Sequence, residues 1–287
     1  DRLIRGAPGP TLMQGGAAYK ISEMASWDEA APRYHRRWAG ARTGPFQSTP
    51  LVVRAARIGA GDRVLDVACG TGAVTCEAAR AAGPGGSVLG VDASAGALRI
   101  AARACRAPNV SFAIYDAENV RLGARFDAVT CQYALFFFPD ARRALRRMRR
   151  HMAPGGRLGI AVHGADTPFY TSFLGPAAEL IPGIARPGAP RLDRYGTRGA
   201  LAAAVRGAGF SRVVVREHVF RYSPGTFEQY WRRYTRNAPA RIREALRGAG
   251  RPAVAELRKR VREGTAPYTR GGRITFPWQV LVLSARR

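Results

Sequence analysis

Lysine is almost absent from this 287-residue chain: of its 46 basic residues only Lys20 and Lys259 are Lys, and the rest are Arg. Acidic residues are also scarce, 20 in all, which leaves a formal net charge of +26. No apolar run approaches the roughly 20 residues of a membrane-spanning helix, so none is expected. The opening DRLIRGAPGP has no apolar core of the signal-peptide kind. The chain begins at Asp1 rather than Met, which leaves room for a leader. The four cysteines, Cys69, Cys76, Cys105 and Cys131, show no C-x-x-C spacing and no accompanying His cluster. That excludes a zinc motif and a disulfide framework, so no metal is expected and a reducing, cytoplasmic setting is. Internal repeats are absent.

The 46% of hydrophobic and 23% of charged residues are ordinary for a globular protein. A chain this long can bury roughly 75% of its unfolded surface, which excludes a disordered or fibrous protein. The Arg excess has two readings. One is a basic surface for nucleic acid, anionic lipid or an acidic ligand. The other is a compositional habit that replaces Lys by Arg. The Arg residues are spread along the whole chain, which favours habit. In 141–152, Arg142, Arg143, Arg146, Arg147, Arg149 and Arg150 alternate with a stripe of Ala141, Leu145, Met148 and Met152, so the arginines take the solvated face. In 241–262, Glu244 can pair with Arg247 and Glu256 with Arg260.

Residues 1–24 are Gly-rich and weakly patterned, and read as loop. Residues 25–60 read as two helical pieces, with Ser26 and Asp28 as caps and Pro50 at a helix start. From Gly61 short β-rich runs alternate with helical stretches. Strands are expected at 62–68, 87–93, 109–117, 125–135 and 157–164, with a helix over 139–152. Such alternation implies right-handed βαβ units and a parallel, doubly wound sheet. Residues 165–195 are Pro/Gly-rich and read as irregular. A helix near 196–208, a strand at 211–223, two helices in 225–264 and a last strand at 275–285 follow.

The segment Val64-Leu65-Asp66-Val67-Ala68-Cys69-Gly70-Thr71-Gly72 runs a strand into a glycine turn and then a helix. Gly70 and Gly72 let a ligand lie against the backbone, and the helix N-terminus offers free N–H groups. Asp66 points a carboxylate at the crevice where open α/β sheets bind ligands, and Asp92, 20 residues past Gly72, suits ribose hydroxyls. A dinucleotide site would want G-x-G-x-x-G, but Thr75 stands at the third position. A carboxylate before the turn would repel a pyrophosphate and suits a cationic group, such as the amino group of a methionine moiety.

With these residues the sequence resembles the class I S-adenosylmethionine-dependent methyltransferases, and within them the ubiquinone/menaquinone-biosynthesis-type small-molecule group. The motifs are VLDVACGTG, GVDAS, YDAENV, FDAVTCQYALFFFPD and MAPGGRL, with APYTRGGRITFPWQVLVLSARR as a less specific close. Ala68 stands where the family usually has Gly. The resemblance implies an α/β, Rossmann-like doubly wound sheet of seven strands, mostly parallel with an antiparallel last strand, plus a helical cap. It implies an N-terminal helical cap segment over 1–49, a cofactor core over 50–165, a variable substrate segment with the end of the core sheet over 166–224, a helical lid insertion over 225–274 and the last core strand over 275–287. It implies that S-adenosylmethionine is the cofactor, with Asp66 and the Ala68–Gly72 turn around its methionine part. Asp92 would hold the ribose, with Ala93 beside the adenine. Asp116 would accept from the adenine amino group, Ala117 would donate from its backbone, and the Gln132 carbonyl would lie beside the sulfonium.

Methyl transfer from a sulfonium needs alignment above all, and a base only where the acceptor must shed a proton. Tyr133 and His163, at the ends of the fourth and fifth strands, are the candidate bases; each also fits a structural role, Tyr133 as a pocket wall and His163 as a strand-end histidine. Tyr34, Tyr170, Tyr230 and Trp231 are the candidate substrate-pocket aromatics, the last two on a helix of the lid. The N/D-P-P-Y/F sequence of amino-directed nucleic-acid methyltransferases is absent; Cys131-Gln132-Tyr133-Ala134 stands in its place. The expected activity is methylation of a small apolar or aromatic, secondary-metabolite or quinone-like acceptor, with no nucleic-acid partner; a homodimer stays open. The alternatives are an RNA or protein methyltransferase using the basic surface, and a cofactor-binding relative with another reaction, such as a cyclase.

Overall fold

The computed structural model describes residues 3–4, 17–184, 191–236 and 240–287, with the backbone alone for residues 3, 4, 17–19, 21–23, 240 and 241. The chain divides into two compact units, one of Asp1–Ala165, Pro190–His218 and Val280–Arg287, the other of Asp166–Ala189 and Val219–Gln279.

The first unit is built on β2 (Arg63–Val67), β3 (Ser87–Asp92), β4 (Val110–Ile114), β5 (Phe126–Gln132) and β6 (Met152–His163). These five pair in parallel, β2 with both β3 and β5. The strands carry near-continuous apolar runs. Val64, Leu65, Val88, Val91, Phe112, Ala128 and Val129 are all buried, as expected for parallel strands covered on both faces. β9 (Arg273–Arg286) lies between β6 and the edge strand and pairs antiparallel with β6, from Arg157 opposite Arg286 to His163 opposite Val280. The strand order is β1-β4-β3-β2-β5-β6-β9-β7, where β1 is Leu3–Ile4 and β7 is Ser211–Thr226. The seven strands read from the sequence are all present; the two-residue β1 and β8 (Thr269–Arg270) are additions too short to leave a pattern. The order reverses direction between β2 and β5, the switch point outside which doubly wound sheets leave a crevice.

Helices α3 (Ala73–Ala82) and α4 (Ala95–Ala104) follow β2 and β3, and α5 (Ala141–Arg150) follows β5. α5 buries Ala141, Leu145 and Met148; Arg142, Arg146 and Arg150 are exposed as patterned, while Arg143, Arg147 and Arg149 are half-buried. N-terminal to the sheet, α1 (Ala17–Tyr34) runs into a π-helical turn at His35–Ala39, and α2 (Thr49–Ala55) starts on Pro50. The expected loop over 1–24 is therefore a helix from Ala17 onward; residues 5–16 lie outside the described residues. Ser26 and Asp28 are inside α1, not at its start. Asp28 caps a different helix: its Oδ1 accepts from the Gly96 backbone N–H at 2.8 Å and from the Ser94 hydroxyl at 2.5 Å, at the start of α4.

The second unit holds α6 (Pro168–Leu180), α8 (Phe227–Thr235), α9 (Ala240–Gly248) and α10 (Gly250–Thr265). Its core is aromatic. Phe169 stacks on Trp278 with centroids 5.0 Å apart, and Phe173 stacks on Tyr234 at 4.2 Å. Part of the stretch read as irregular, 165–195, is α6: Pro168 at its first turn presets φ, and the apolar Phe169, Phe173 and Ala177 bury one face. Three helices, not two, fill 225–265, because Gly248 and Gly250 end one and start the next.

Candidate functional site

In the first unit, the ends of β2, β3, β4 and β5 meet at the switch point. Beyond β2 the backbone turns sharply, with φ of +53° at Ala68, +54° at Gly70 and +86° at Gly72. Positive φ strains a residue that carries a Cβ, by about 1–2 kcal/mol. It recurs at Tyr133, φ +54°, directly after β5. Both reversals fall on the walls of one cavity. A Cβ built on Gly70 would meet nothing within 4 Å, so the backbone there borders open space. Gly72 caps α3, and a Cβ there would lie 3.1 Å from that of Ala101.

Asp92 ends β3. Its Oδ2 accepts from the Gly70 N–H and its Oδ1 from the Ser94 N–H, each at 2.8 Å. Burial holds this carboxyl above its ordinary value, against the pull of those backbone donors. A carboxylate offers about four lone-pair sites, so acceptor capacity remains on the cavity side. Asp116, beyond β4, accepts at Oδ2 from Lys20 (2.8 Å) and Asn119 (2.7 Å), and at Oδ1 from the Glu118 N–H (3.0 Å). Lys20 also donates to Glu118 at 2.6 Å. The cavity so formed measures about 250 Å³, and Ala93, Ala117, Asp92, Asp116 and Lys20 border it. Its apolar wall includes Met24, Trp27, Tyr34, Phe137 and Phe138. Trp27 meets Tyr34 and Phe137 edge to face at 5.1 and 5.5 Å.

A narrower annex of about 30 Å³ leads off it, bordered by Asp66, Thr71 and Phe46; Tyr34, Ala68, Gly70 and Gln132 border both spaces. Asp66 is buried, and accepts from the Thr75 hydroxyl at 2.6 Å and the Thr130 hydroxyl at 2.8 Å. Burial pushes its pKa up to about 6 despite those bonds. His35, in the π-helical turn, bonds the Thr71 hydroxyl through Nδ1 at 3.0 Å and so ties the N-terminal segment to the glycine turn. The Gln132 side chain is engaged away from the cavity, with Ser48 (3.0 Å) and Thr49 (3.2 Å).

The two base candidates lie at the ends of β5 and β6. Tyr133 borders the cavity, but its hydroxyl donates to the Pro45 carbonyl at 2.7 Å and meets the Ser48 hydroxyl at 2.7 Å. That hydroxyl is therefore engaged within the protein, against Pro45 and Ser48. His163 is buried, stacked 4.5 Å from the Tyr133 ring and tilted against Phe136. Desolvation lowers its pKa to about 3, so it is a weak base at neutral pH, and it is not among the residues bordering the cavity. Of the four expected pocket aromatics, Tyr34 borders the cavity, whereas Tyr170, Tyr230 and Trp231 belong to the second unit. There Tyr230 is wholly buried and its hydroxyl donates to the Phe169 carbonyl at 2.6 Å. Trp231 is buried and stacks with Phe227, and Tyr170 packs edge to face on Trp278. Tyr230 and Trp231, read as lid aromatics, pack within the aromatic core of the second unit, where their ring area is removed from water.

Lys20, Asp28 and Trp27 were not singled out from the sequence for this site. Lys20 had a signal: a lysine kept where nearly every other basic residue is Arg. An ammonium carries three donors on one compact centre, which lets Lys20 bond both carboxylates within 2.8 Å.

The methyltransferase-domain family matches residues 64–156. Aklanonic acid methyltransferase DauC of Streptomyces sp. (strain C5) is 31% identical over 215 residues, covering 69% of this chain and 95% of that protein. Demethylmenaquinone methyltransferase of Renibacterium salmoninarum is 33% identical, covering 56% of this chain and 68% of that protein. Among solved structures, the YcgJ protein of Bacillus subtilis aligns with a TM-score of 0.55 at 22% identity, covering 84% of this chain and 98% of that one. The [4+2]-cyclase SpnF aligns with a TM-score of 0.51 at 23% identity, covering 84% and 80%. At such identities the likeness is one of fold, and a fold hosts more than one chemistry.

Proposed function

The chain belongs to the class I S-adenosylmethionine-dependent methyltransferases of the ubiquinone/menaquinone-biosynthesis type, and from that premise we propose that its acceptor is a small, largely apolar or aromatic, quinone-like or secondary metabolite. One observation carries the reading: the Asp92 and Asp116 carboxylates and the Trp27, Tyr34, Phe137 and Phe138 wall border a single cavity. The names of the two relatives support a small-molecule acceptor.

The residues fit the cofactor. Asp92 keeps acceptor capacity for two ribose hydroxyls, Gly70 leaves its Cβ space empty, and Ala93 and Ala117 present backbone beside the apolar end. Asp66 and Thr71 supply polar groups for the methionine end, and Gln132 stands where cavity and annex join. When bound, S-adenosylmethionine supplies a methyl group activated on a sulfonium. The chain's part is alignment: α1 covers the cavity with Met24, Trp27 and Tyr34, and the strained turns at Ala68 and Tyr133 hold backbone against it. Excluding water and fixing the line of attack are worth several kcal/mol of barrier in such displacements. We assign Tyr133 the role of a wall and His163 that of its buried support, so the acceptor's proton, where it has one, leaves to solvent or within the acceptor itself.

Calorimetric titration of S-adenosylmethionine into wild type and Asp92→Ala tests the site. Two hydrogen bonds to a charged acceptor, at about 1.5–3 kcal/mol each, predict a loss of about 100-fold or more. Radiolabelled methyl transfer to a panel of hydroxylated quinones and aromatic polyketide acids tests the acceptor class. Unchanged affinity in Asp92→Ala sinks the site; transfer to RNA but to none of the panel sinks the acceptor class.

A further inference from the structure

A Cβ built on Gly72 would lie 3.1 Å from that of Ala101, so the start of α3 packs directly against α4. Cys76 lies one helical turn beyond Gly72 and its backbone N–H bonds the Gly72 carbonyl at 2.9 Å; Cys105 lies one turn beyond Ala101 and bonds the Ala101 carbonyl at 2.8 Å. One turn on from Gly72 and Ala101, the Cys76 and Cys105 sulfurs lie within hydrogen-bond reach of each other. Both sulfurs belong to one buried cluster, with Cys105 inside it and Cys76 packed on its edge. Cys105 is buried, while Cys76 is partly open to solvent and reachable by a small oxidant.

We propose that Cys76 and Cys105 are a redox-active pair, which closes to a reversible disulfide between α3 and α4. The oxidant is a hydroperoxide. One sulfur takes an oxygen from it to become a sulfenic acid, and with hydrogen peroxide the other product is water. The second sulfur then displaces that hydroxyl as a second water, forming the S–S bond. Two thiols are oxidised and one peroxide is reduced, and a dithiol returns the pair to the reduced form.

The chemistry of the four cysteines separates this pair from the others. The Cys76 thiol donates to the Cys105 sulfur, which holds Cys105 below the ordinary thiol range and raises Cys76. Arg80, one turn further along α3, favours the thiolate at both. Burial pushes the Cys69 and Cys131 thiols up, and Cys76 is raised as well, so the lowered Cys105 is the thiol of the four poised to ionise. α3 begins at the glycine turn and α4 begins beside Asp92, so a bond between them fixes the spacing of the two loops that border the cavity. This last consequence rests on the cofactor reading; the disulfide itself does not.

The full chain is treated with hydrogen peroxide, alkylated and mapped by mass spectrometry. A Cys76–Cys105 cross-linked peptide, lighter by two hydrogens and lost on treatment with dithiothreitol, is the expected result, with Cys69 and Cys131 alkylated as free thiols. Cys76→Ser and Cys105→Ser each abolish the cross-link, and in each the remaining sulfur is trapped by dimedone as its sulfenic acid. The oxidised wild type melts a few degrees higher than the reduced form, and the serine variants show no such shift. Four free thiols after treatment, or cross-links through Cys69 or Cys131, overturn the pair. Calorimetry with S-adenosylmethionine on both forms completes the test. A change in affinity of about fivefold supports coupling to the cavity, while equal affinities with the cross-link present overturn that coupling and leave the pair standing.

Discussion

Replacing Lys20 by Met is expected to destabilise the first unit more than any other single charge removal there. The Lys20 ammonium lies 2.8 Å from Asp116 and 2.6 Å from Glu118, with side-chain exposures of 10%, 14% and 3% for the three groups. Removing one partner of a buried ion pair typically costs 3–5 kcal/mol, because the other charge stays buried without compensation. The residual exposure of Lys20 and Asp116 lowers this to about 3 kcal/mol. At 2–4 °C per kcal/mol for a unit of this size, the melting temperature should fall by about 6–12 °C. Burial lowers the pKa of Lys20, but its bonds to Asp116 and Glu118 outweigh that and leave it raised. A raised cation contributes its stability fully below its ordinary value and loses it only as the pH climbs through the folded one, so the deficit should be constant across neutral pH. Lys20→Arg keeps the charge and should recover only part of the loss, since a planar guanidinium does not carry its donors on one compact centre. Thermal unfolding followed by circular dichroism decides the matter, with hydrogen exchange of α1 as a local readout. A Lys20→Met protein melting within about 1 °C of wild type, or a Lys20→Arg protein identical to it, refutes the reasoning.

Other expectations follow from buried groups. His163 has its pKa lowered to about 3, so between pH 6.5 and 3 the unfolded chain binds a proton that the fold refuses, and stability falls as the pH falls. At about 1.4 kcal/mol per unit, wild type should lose about 3 kcal/mol more than His163→Phe between pH 7 and pH 4; parallel urea midpoints for the two would contradict this. Tyr133→Phe removes a donor to Pro45 but leaves Ser48 on the same carbonyl, donating at 2.7 Å, so it should cost about 1 kcal/mol. The pH profile of its methyl transfer should keep its shape; a lost basic limb would restore Tyr133 as a base. Tyr230→Phe removes one donor to the Phe169 carbonyl but leaves the Tyr234 hydroxyl on it at 3.0 Å, so it should cost about 1 kcal/mol while S-adenosylmethionine affinity stays at the wild-type value in the same titration.

Much of the cofactor end of the site was legible because it is written in local sequence. A strand, a glycine turn and a helix follow one another within ten residues, and Asp66, Gly70, Asp92 and Asp116 each stand at a strand end that period and composition mark. Parallel strands place those ends along one edge of the sheet whatever else the chain does. The acceptor end was not legible in the same way. Trp27, Tyr34, Phe137 and Phe138 come from a helix before the sheet and a turn after β5, and nothing local relates them. Tyr230 and Trp231 read equally well as lid or core, since an aromatic helix face is the same pattern in both cases.

What the amino-acid sequence determined by itself was the doubly wound sheet, the cofactor class and the carboxylates at the strand ends, because hydrophobic period and turn chemistry act over a few residues. Tertiary structure alone decided the rest. It set Lys20 between Asp116 and Glu118, some 96 and 98 residues away. It turned Asp28 from a presumed cap of its own helix into the cap of α4, buried His163 until it lost its basicity, and set Cys76 against Cys105. Each of these depends on which distant groups share a site and how much water they keep, and neither is a property of a residue's neighbours along the chain.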